Sequence, residues 1–199
     1  MADTLPIAFW LLPGGPDAER LQGLVGRLAR EHGGPVFEPH ITLHVAACPP
    51  DTDIDAVLAQ VAAASPPHLR LAALATGNSD AYYQALFAGI ATDRRDGEGL
   101  LTLRRRLVAK FEAAYAPQEP EPSAAYVFHP HLSLLYGELP PALREQLVGL
   151  HDLRGQTILF DRIAAVAPAA QHRDLARVER WHVFGHRPLG SPASGRLHS

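Results

Sequence analysis

Apolar residues recur along this chain with two different spacings, and each spacing predicts a type of secondary structure. Spacings of three and four, as in Leu21, Leu24 and Leu28, predict amphipathic helices. Short apolar runs bounded by Gly, Pro or Asn predict strands. The predicted helices begin near Pro16, Asp53, Glu98 and Pro141. The predicted strands cover residues 7–12, 39–46, 69–75, 82–91, the segment around His131, and residues 157–166 and 177–186.

An eight-residue segment is repeated in the chain. Residues 36–43 have the sequence VFEPHITL, and residues 127–134, ninety-one positions later, have the sequence VFHPHLSL. Five of the eight residues are identical, and a pair of prolines follows each histidine at the same distance. A repeated His-x-Thr/Ser beside a proline predicts two similar halves, each of which brings a histidine and a hydroxyl to a shared site.

The predicted elements around this repeat also follow the same order in both halves: helix, motif strand, proline turn, helix and strand. Because helices and strands do not alternate as in a doubly wound parallel sheet, the predicted class is α+β. We predict a bilobal, pseudo-twofold duplication in which two antiparallel sheets line a central cleft, with the helices outside. Residues 1–186 form this single domain, and residues 187–199, rich in Gly, Ser and Pro, form a loose C-terminal tail.

Each motif strand is predicted to have one polar and one apolar face, since residues two apart on a strand point to the same side. The polar faces hold His40, Thr42 and His44 in the first copy, and His131 and Ser133 in the second. The intervening residues, which are predicted to face the core, are Ile41, Leu43, Val45, Leu132 and Leu134.

An imidazole beside a hydroxyl suits phosphate chemistry. Histidine can accept or donate a proton near neutral pH, and a Thr or Ser hydroxyl can donate a hydrogen bond to a phosphate oxygen. A single His-x-Thr on a strand is more often structural, but two copies in the same context favour a functional pair. We therefore take His40 and His131 as candidate catalytic residues, and Thr42 and Ser133 as candidate substrate-binding residues.

The composition restricts the partners of such a site. The formal net charge is −3, and no run of Lys or Arg is longer than three residues, which argues against binding to long nucleic acid. That run, residues 104–106, is interpreted as a solvated helix face. Cys48 is the single cysteine, so no intramolecular disulfide forms. We expect a monomeric, cytoplasmic protein without a membrane segment.

Two further histidines, His44 and His129, lie close to the motif histidines in the sequence. A zinc site would need three or four suitable ligands, and the sequence contains no Cys-x-x-Cys, no His-Glu-x-x-His and no carboxylate-rich loop. We therefore expect no metal and no cofactor. His44 and His129 are interpreted as supporting or surface residues.

The paired motifs resemble the His-x-Thr/Ser signatures of the 2H phosphoesterase superfamily. Within it, several segments are similar to the plant- and yeast-type cyclic nucleotide phosphodiesterases. These segments are residues 9–13, 39–40, 82–87 and 130–136. The likeness extends over nearly the whole chain, to about Gly185.

This resemblance implies hydrolysis of cyclic phosphates without a metal, for example ADP-ribose 1″,2″-cyclic phosphate or nucleoside 2′,3′-cyclic phosphates. It also implies a substrate-binding role for Tyr136. Strict alternation places Tyr136 on the core face, so a bulge or the strand end near Gly137 must bring it to the cleft. Trp10 and Tyr83 are candidates for stacking on a nucleobase, with core packing as the alternative.

In the mechanism that we expect, His131 is the base that deprotonates water and His40 is the acid that protonates the leaving ribose oxygen. The pseudo-symmetric sequence is also compatible with the reverse assignment. Two other functions stay open: RNA 2′-5′ ligation or other RNA-end processing, and a non-catalytic nucleotide-binding module. The lack of a basic excess, with a net charge of −3, disfavours the first, and the presence of two titratable motif residues disfavours the second.

Overall fold

A computed structural model of the chain describes residues 4–94, 96–115, 128–168, 178 and 181–192. Within these residues the helices are α1 (Gly15–His32), α2 (Ile54–Ala63), α3 (Gly97–Tyr115) and α4 (Pro141–Leu150). The strands are β1 (Leu5–Pro13), β2 (Ile41–Cys48), β3 (Leu69–Gly77), β4 (Leu86–Ile90), β5 (His131–Leu135), β6 (Thr157–Ala167) and β7 (His182–Pro188). None of the described helices is long and apolar enough to span a bilayer.

The strands form a seven-stranded antiparallel sheet in the order β1-β2-β5-β4-β3-β6-β7. The long strand β6 pairs with β3 through residues 157–160 and with β1 through residues 160–166, so the pairings close on themselves. The combination of helices with an antiparallel sheet agrees with the predicted class. The sequence predicted two sheets, but β2–β5 and β3–β6 pairing joins the strands of both halves into a single sheet.

Strand β1 shows how the two faces of the sheet differ. Ile7, Phe9 and Leu11 point into the main core, which also contains buried residues from all four helices. Ala8, Trp10 and Leu12 point to the other side, into a smaller cluster with residues of β6. The helices therefore supply most of the main core on one face of the sheet, and Ala8 and Trp10 on the other face of β1 border a cavity that α3 also reaches.

The same order of elements occurs in both halves of the fold: β1-α1-β2-α2-β3 and β4-α3-β5-α4-β6. Strands β2 and β5 hold equivalent places in this order, and each carries a copy of the motif. In the second copy, Val127 lies outside the described residues.

Three predicted boundaries differ from the structure. The strand predicted over residues 82–91 begins only at Leu86, because Tyr82–Gln84 form a 3-10 turn in which the Gln84 N–H donates to the Ala81 carbonyl at 2.9 Å. Strand β7 begins at His182, and the predicted start at residue 177 lies outside the described residues. Residues 187–192 were assigned to a loose tail, but β7 runs through Pro188 and Leu189 is buried in the core. Residues 193–199 lie outside the described residues.

Candidate active site

The candidate site lies where the two motif strands meet. Strands β2 and β5 pair at Ile41 and Leu132, the residues that follow the motif histidines, and both side chains are fully buried in the main core. The neighbouring side chains point to the other face of the sheet. Continuing this antiparallel register by one residue in each direction places His40 opposite Ser133 and Thr42 opposite His131. Each histidine therefore lies across from the hydroxyl of the other half.

A β-bulge follows the hydroxyl residue of the first motif. In the ladder between β1 and β2, Trp10 lies opposite Thr42, whereas Phe9 lies opposite His44, so β2 contains an extra residue at this point. The bulge reverses the alternation of the side chains that follow it. The sequence predicted that His44 shares the face of His40 and Thr42, but His44 lies opposite Phe9 after the bulge and borders the cavity from there. Val45, which was predicted to face the core, borders the cavity and is 52% exposed.

Strand β5 contains the same irregularity. Phe87 lies opposite Ser133 and Leu86 lies opposite Leu135, so an extra residue again follows the hydroxyl residue. Because of this bulge, the side chain of Tyr136 leaves the core face predicted by strict alternation, and Tyr136 borders the cavity. Val45 and Tyr136 are ninety-one positions apart, like the motif histidines, so the two bulges place equivalent residues in the cavity wall.

The imidazole of His40 is nearly buried, with 6% of the residue exposed. Its Nδ1 lies 2.6 Å from the carbonyl oxygen of Glu38, so Nδ1 carries a proton and donates it to this oxygen. Burial lowers the pKa of His40 from 6.5 to about 4; the Glu38 hydrogen bond opposes this shift and the charge of His131 adds to it. His40 is therefore neutral at pH 7 in the unliganded protein, with Nε2 as a proton acceptor.

The indole of Trp10 stacks face to face on His40, with 3.7 Å between ring centroids and 11° between the planes. The indole of Trp10 was predicted to stack on a nucleobase, and the contact with His40 already occupies one of its two faces. Trp10 also lies 5.5 Å from Trp181, centroid to centroid. The first motif histidine is thus held against an aromatic group at the cavity wall.

His131 is held by the same backbone contact as His40. Its Nδ1 lies 3.0 Å from the carbonyl oxygen of His129, and its Nε2 lies 3.0 Å from Nε2 of Gln84. Because Nδ1 donates to the carbonyl, Nε2 of the neutral ring accepts a hydrogen bond from the Gln84 amide. The 3-10 turn that carries Gln84 also places Tyr83, 40% exposed, at the cavity wall.

The hydroxyl groups of the site differ in their partners. The Ser133 hydroxyl donates to the carbonyl oxygen of Tyr83 at 2.8 Å. Tyr136 is buried and stacks on Phe37, with 3.7 Å between ring centroids. Burial raises the pKa of the Tyr136 phenol far above its ordinary value, and an interaction with the Ser133 hydroxyl opposes this shift. The phenol therefore stays protonated and can act as a donor. Thr42 borders the same cavity.

A cavity of about 630 Å³ lies on this side of the sheet. It is bordered by every residue that the sequence put forward for the site: Trp10, His40, Thr42, Tyr83, His131, Ser133 and Tyr136. Among the described residues its wall contains no Asp or Glu, although the chain has 21 acidic residues. The wall instead contains Arg104 and four histidines, and this supply of hydrogen-bond donors without a carboxylate favours an anionic ligand.

The cavity-wall residues that were not predicted as site residues include Gln84, Arg104 and Trp181. Arg104 was assigned to a solvated helix face. The helical spacing indicates a position on the buried side of α3, because residue 104 follows the buried Leu100 by four positions and precedes the buried Leu107 by three. It therefore falls within the apolar stripe of α3 rather than on the opposite face.

The described residues contain no group of three His, Cys, Asp or Glu side chains that is placed to hold a metal ion. The described cavity wall instead offers four imidazoles, four hydroxyls and an amide around one cavity. Such groups can move protons and donate hydrogen bonds to an anion.

The fold and the paired motifs define a class of protein with two His-x-Thr/Ser strands at one cavity. The family model described as the 2′-5′ RNA ligase superfamily matches residues 13–167. The chain belongs to this superfamily, the 2H phosphoesterases, and the predicted superfamily is thereby confirmed. The plant- and yeast-type subgroup remains a prediction.

Solved structures share this fold at low sequence identity. The structure of TT0787 from Thermus thermophilus is 17% identical, covers 94% of this chain and 99% of its own, and superposes with a TM-score of 0.61. Apo LigT from E. coli is 14% identical, covers 94% and 98%, and gives a TM-score of 0.55. A further structure, described as a phosphoesterase, is 16% identical, with 93% and 98% coverage and a TM-score of 0.54. No curated protein matches the sequence significantly.

Proposed function

We propose that this protein is a cyclic phosphodiesterase that hydrolyses the cyclic phosphate of a nucleotide to a phosphomonoester without a metal ion. The observation that carries the proposal is the placement of His40 and His131 at one cavity, each with Nδ1 held by a backbone carbonyl. LigT from E. coli, which shares the fold, has been crystallised with 3′-AMP and with phosphate. The proposed substrates are ADP-ribose 1″,2″-cyclic phosphate and nucleoside 2′,3′-cyclic phosphates, as in the plant- and yeast-type enzymes.

In the proposed reaction, water attacks the phosphorus and loses its proton to Nε2 of His131. The bond between phosphorus and one ribose oxygen breaks, and His40 protonates that oxygen. Two contacts support this assignment. The Gln84 amide donates to Nε2 of His131 in the unliganded protein, which matches a neutral ring, and the attacking water takes the place of this amide when Nε2 accepts its proton. The Trp10 indole face stabilises an imidazolium at His40.

The low pKa of unliganded His40 would by itself disfavour its role as the acid. It reflects a cavity without a negative charge, in which burial and the charge of His131 oppose protonation. An anionic phosphate in the cavity supplies the missing countercharge. We therefore propose that His40 takes up its proton when the substrate binds.

Hydroxyl groups would stabilise the charge that develops on the non-bridging oxygens. Thr42 and Tyr136 border the cavity and can donate to a phosphate there. Ser133 can do so only when its proton turns away from the Tyr83 carbonyl, which it contacts in the unliganded protein. In this mechanism the enzyme binds the phosphate through groups from both motif strands.

We also propose the bilobal, pseudo-twofold arrangement, in which residues 1–186 form one domain and each half supplies one motif. The repeated order of elements and the matching bulges of β2 and β5 support it. One phosphate would then be shared by two halves rather than bound in two separate sites.

The description of the superfamily favours a second function, 2′-5′ RNA ligation. If a 5′-hydroxyl replaces water as the nucleophile, the same base and acid produce a phosphodiester instead of a monoester. The cavity wall has a single Arg and no Lys among the described residues, which offers little electrostatic attraction for a long RNA. Hydrolysis of a small substrate is the function that this wall favours.

The test is an assay of purified protein with a panel of cyclic phosphates in EDTA, with products resolved by phosphorus NMR. We expect phosphomonoester formation that EDTA leaves intact. A parallel reaction with an RNA bearing a 2′,3′-cyclic phosphate end and an RNA with a 5′-hydroxyl end tests ligation. Activity that disappears on chelation and returns with zinc or manganese would contradict the two-histidine mechanism, and joining without hydrolysis would favour the ligase.

A further inference from the structure

The cavity wall contains a cation that the proposed chemistry does not use. Arg104 of α3 borders the same cavity as His40 and His131. Its guanidinium carbon lies 4.7 Å from the ring centroid of Phe128, so the cation rests on an aromatic face. Phe128 lies three residues before His131 and also borders the cavity. The charge of Arg104 is thereby held next to the second motif.

Two imidazoles accompany this cation in the cavity wall, those of His44 and His129. His44 reaches this region because the bulge in β2 turns it towards α3, where its ring centroid lies 6.3 Å from that of Phe111. The motif residues already serve one phosphate in the proposed reaction. The guanidinium of Arg104 therefore has no role in the proposed reaction of a substrate with a single phosphate.

Part of the cavity wall lies away from His40 along β2. Strand β2 rises by about 3.3 Å per residue, so His44 lies on the order of 10 Å from His40 along the strand. Helix α3 packs against β2, and both Arg104 and Val108, one helical turn apart, border the cavity. A ligand that reaches both regions must extend beyond the cyclic phosphate itself.

We propose that Arg104, together with His44 and His129 of the same cavity wall, forms a second phosphate subsite that selects nucleotides with another phosphate or diphosphate group away from the cyclic phosphate. This inference rests on the proposed function, because the first phosphate is the one between the motif histidines. It favours substrates of the ADP-ribose cyclic phosphate type, which carry a diphosphate, over nucleoside 2′,3′-cyclic phosphates. Arginine suits this task, since its planar guanidinium can donate two parallel hydrogen bonds to a phosphate.

Binding of two products tests the subsite without requiring turnover. We would measure by calorimetry the Kd of adenosine 2′-phosphate and of adenosine 2′,5′-bisphosphate for the full-length protein at fixed low salt. The second phosphate should tighten binding about tenfold or more in the wild type, a difference of about 1.4 kcal/mol. In Arg104→Gln this ratio should fall to below about threefold, and Arg104→Lys should keep an intermediate ratio because it retains the charge but not the fork.

Arg105→Gln is the matched control on the same helix. Arg105 is exposed and pairs with Glu98, so its loss removes the same charge without changing the cavity wall. This variant should keep the wild-type ratio. Equal Kd values for the two ligands in the wild type, binding of neither ligand, or an unchanged ratio in correctly folded Arg104→Gln would each overturn the inference. Absence of hydrolysis with the Kd ratio intact would instead refute the proposed reaction and leave the subsite standing.

Discussion

The proton that His40 needs as an acid should arrive with the anion, and this can be measured directly. The perturbation is the binding of sulfate, a tetrahedral anion that is not hydrolysed and does not titrate near neutral pH. Without it, burial holds the pKa of His40 at about 4, so that at pH 6.5 only roughly 0.3% of this histidine is protonated.

The expected size of the shift follows from the charge of the anion. Sulfate carries two negative charges, and a single unit charge about 4 Å from the imidazolium already contributes about 4 kcal/mol at an effective dielectric constant of about 20, which corresponds to about three pKa units. Bound sulfate should therefore raise the pKa of His40 from about 4 to at least about 7. At pH 6.5 this change means that most of the bound protein carries the His40 proton.

The assay is an NMR titration of protein labelled at the histidine rings, with and without saturating sulfate. The chain has 11 histidines, so the His40 signal is assigned from its absence in His40→Gln. Two results would refute the reasoning. Titration of His40 near pH 6.5 in the absence of sulfate would mean that burial does not control it. A pKa that stays near 4 with sulfate bound would leave His40 neutral at pH 7, and the acid would then have to be His131.

Three further predictions follow from the same site. His40→Ala and His131→Ala should each lower kcat/KM by roughly a hundredfold to ten-thousandfold, and the double variant by much less than the product, since both act on one phosphate; half the activity in either single variant would mean separate sites. Gln84→Leu should lower kcat by about tenfold and shift the pH profile, because it removes the hydrogen bond to His131, while surface Gln60→Leu should change neither. A lower kcat of Gln84→Leu with an unchanged pH profile would contradict a role of Gln84 in positioning His131. Folding lowers the pKa of His40, so the unfolded chain binds more protons than the folded chain between about pH 6.5 and 4. The free energy of unfolding should therefore fall by up to about 3 kcal/mol as the pH drops through this window. Urea unfolding should show a shallower fall in His40→Gln, and equal slopes in both proteins would argue against this.

The periodic segments of the sequence predict the elements well, and they fail where a local irregularity intervenes. The apolar stripe of α1 and the run of β1 are long, and burial of these side chains fixes the helix and the strand. The strand predicted over residues 82–91 failed at its start. Its apolar pattern does not reveal that Tyr82–Gln84 close a 3-10 turn through backbone hydrogen bonds. That turn is what carries Gln84 to His131.

In the candidate site, too, some features follow from the sequence pattern and others do not. The repeated motif predicts that His40 and His131 belong together, because it requires only residue identity and spacing. Strict alternation along a strand predicts the wrong faces for His44 and Val45, since an extra residue reverses the alternation. A bulge depends on how the partner strands pair, and this long-range pairing is not encoded in any local pattern.

The short pairing of β2 with β5 affects how rigidly the two motif strands are held together. The two motif strands share a short stretch of ladder at Ile41 and Leu132, whereas β1 and β2 pair along most of their length. The halves are joined by longer ladders of β6 with β1 and β3, but few backbone hydrogen bonds link β2 to β5 where the phosphate would bind. A phosphate that accepts hydrogen bonds from Thr42 and Tyr136 would connect β2 to the end of β5. Substrate binding would then reduce the relative motion of the two motif strands, and release of the product would restore it.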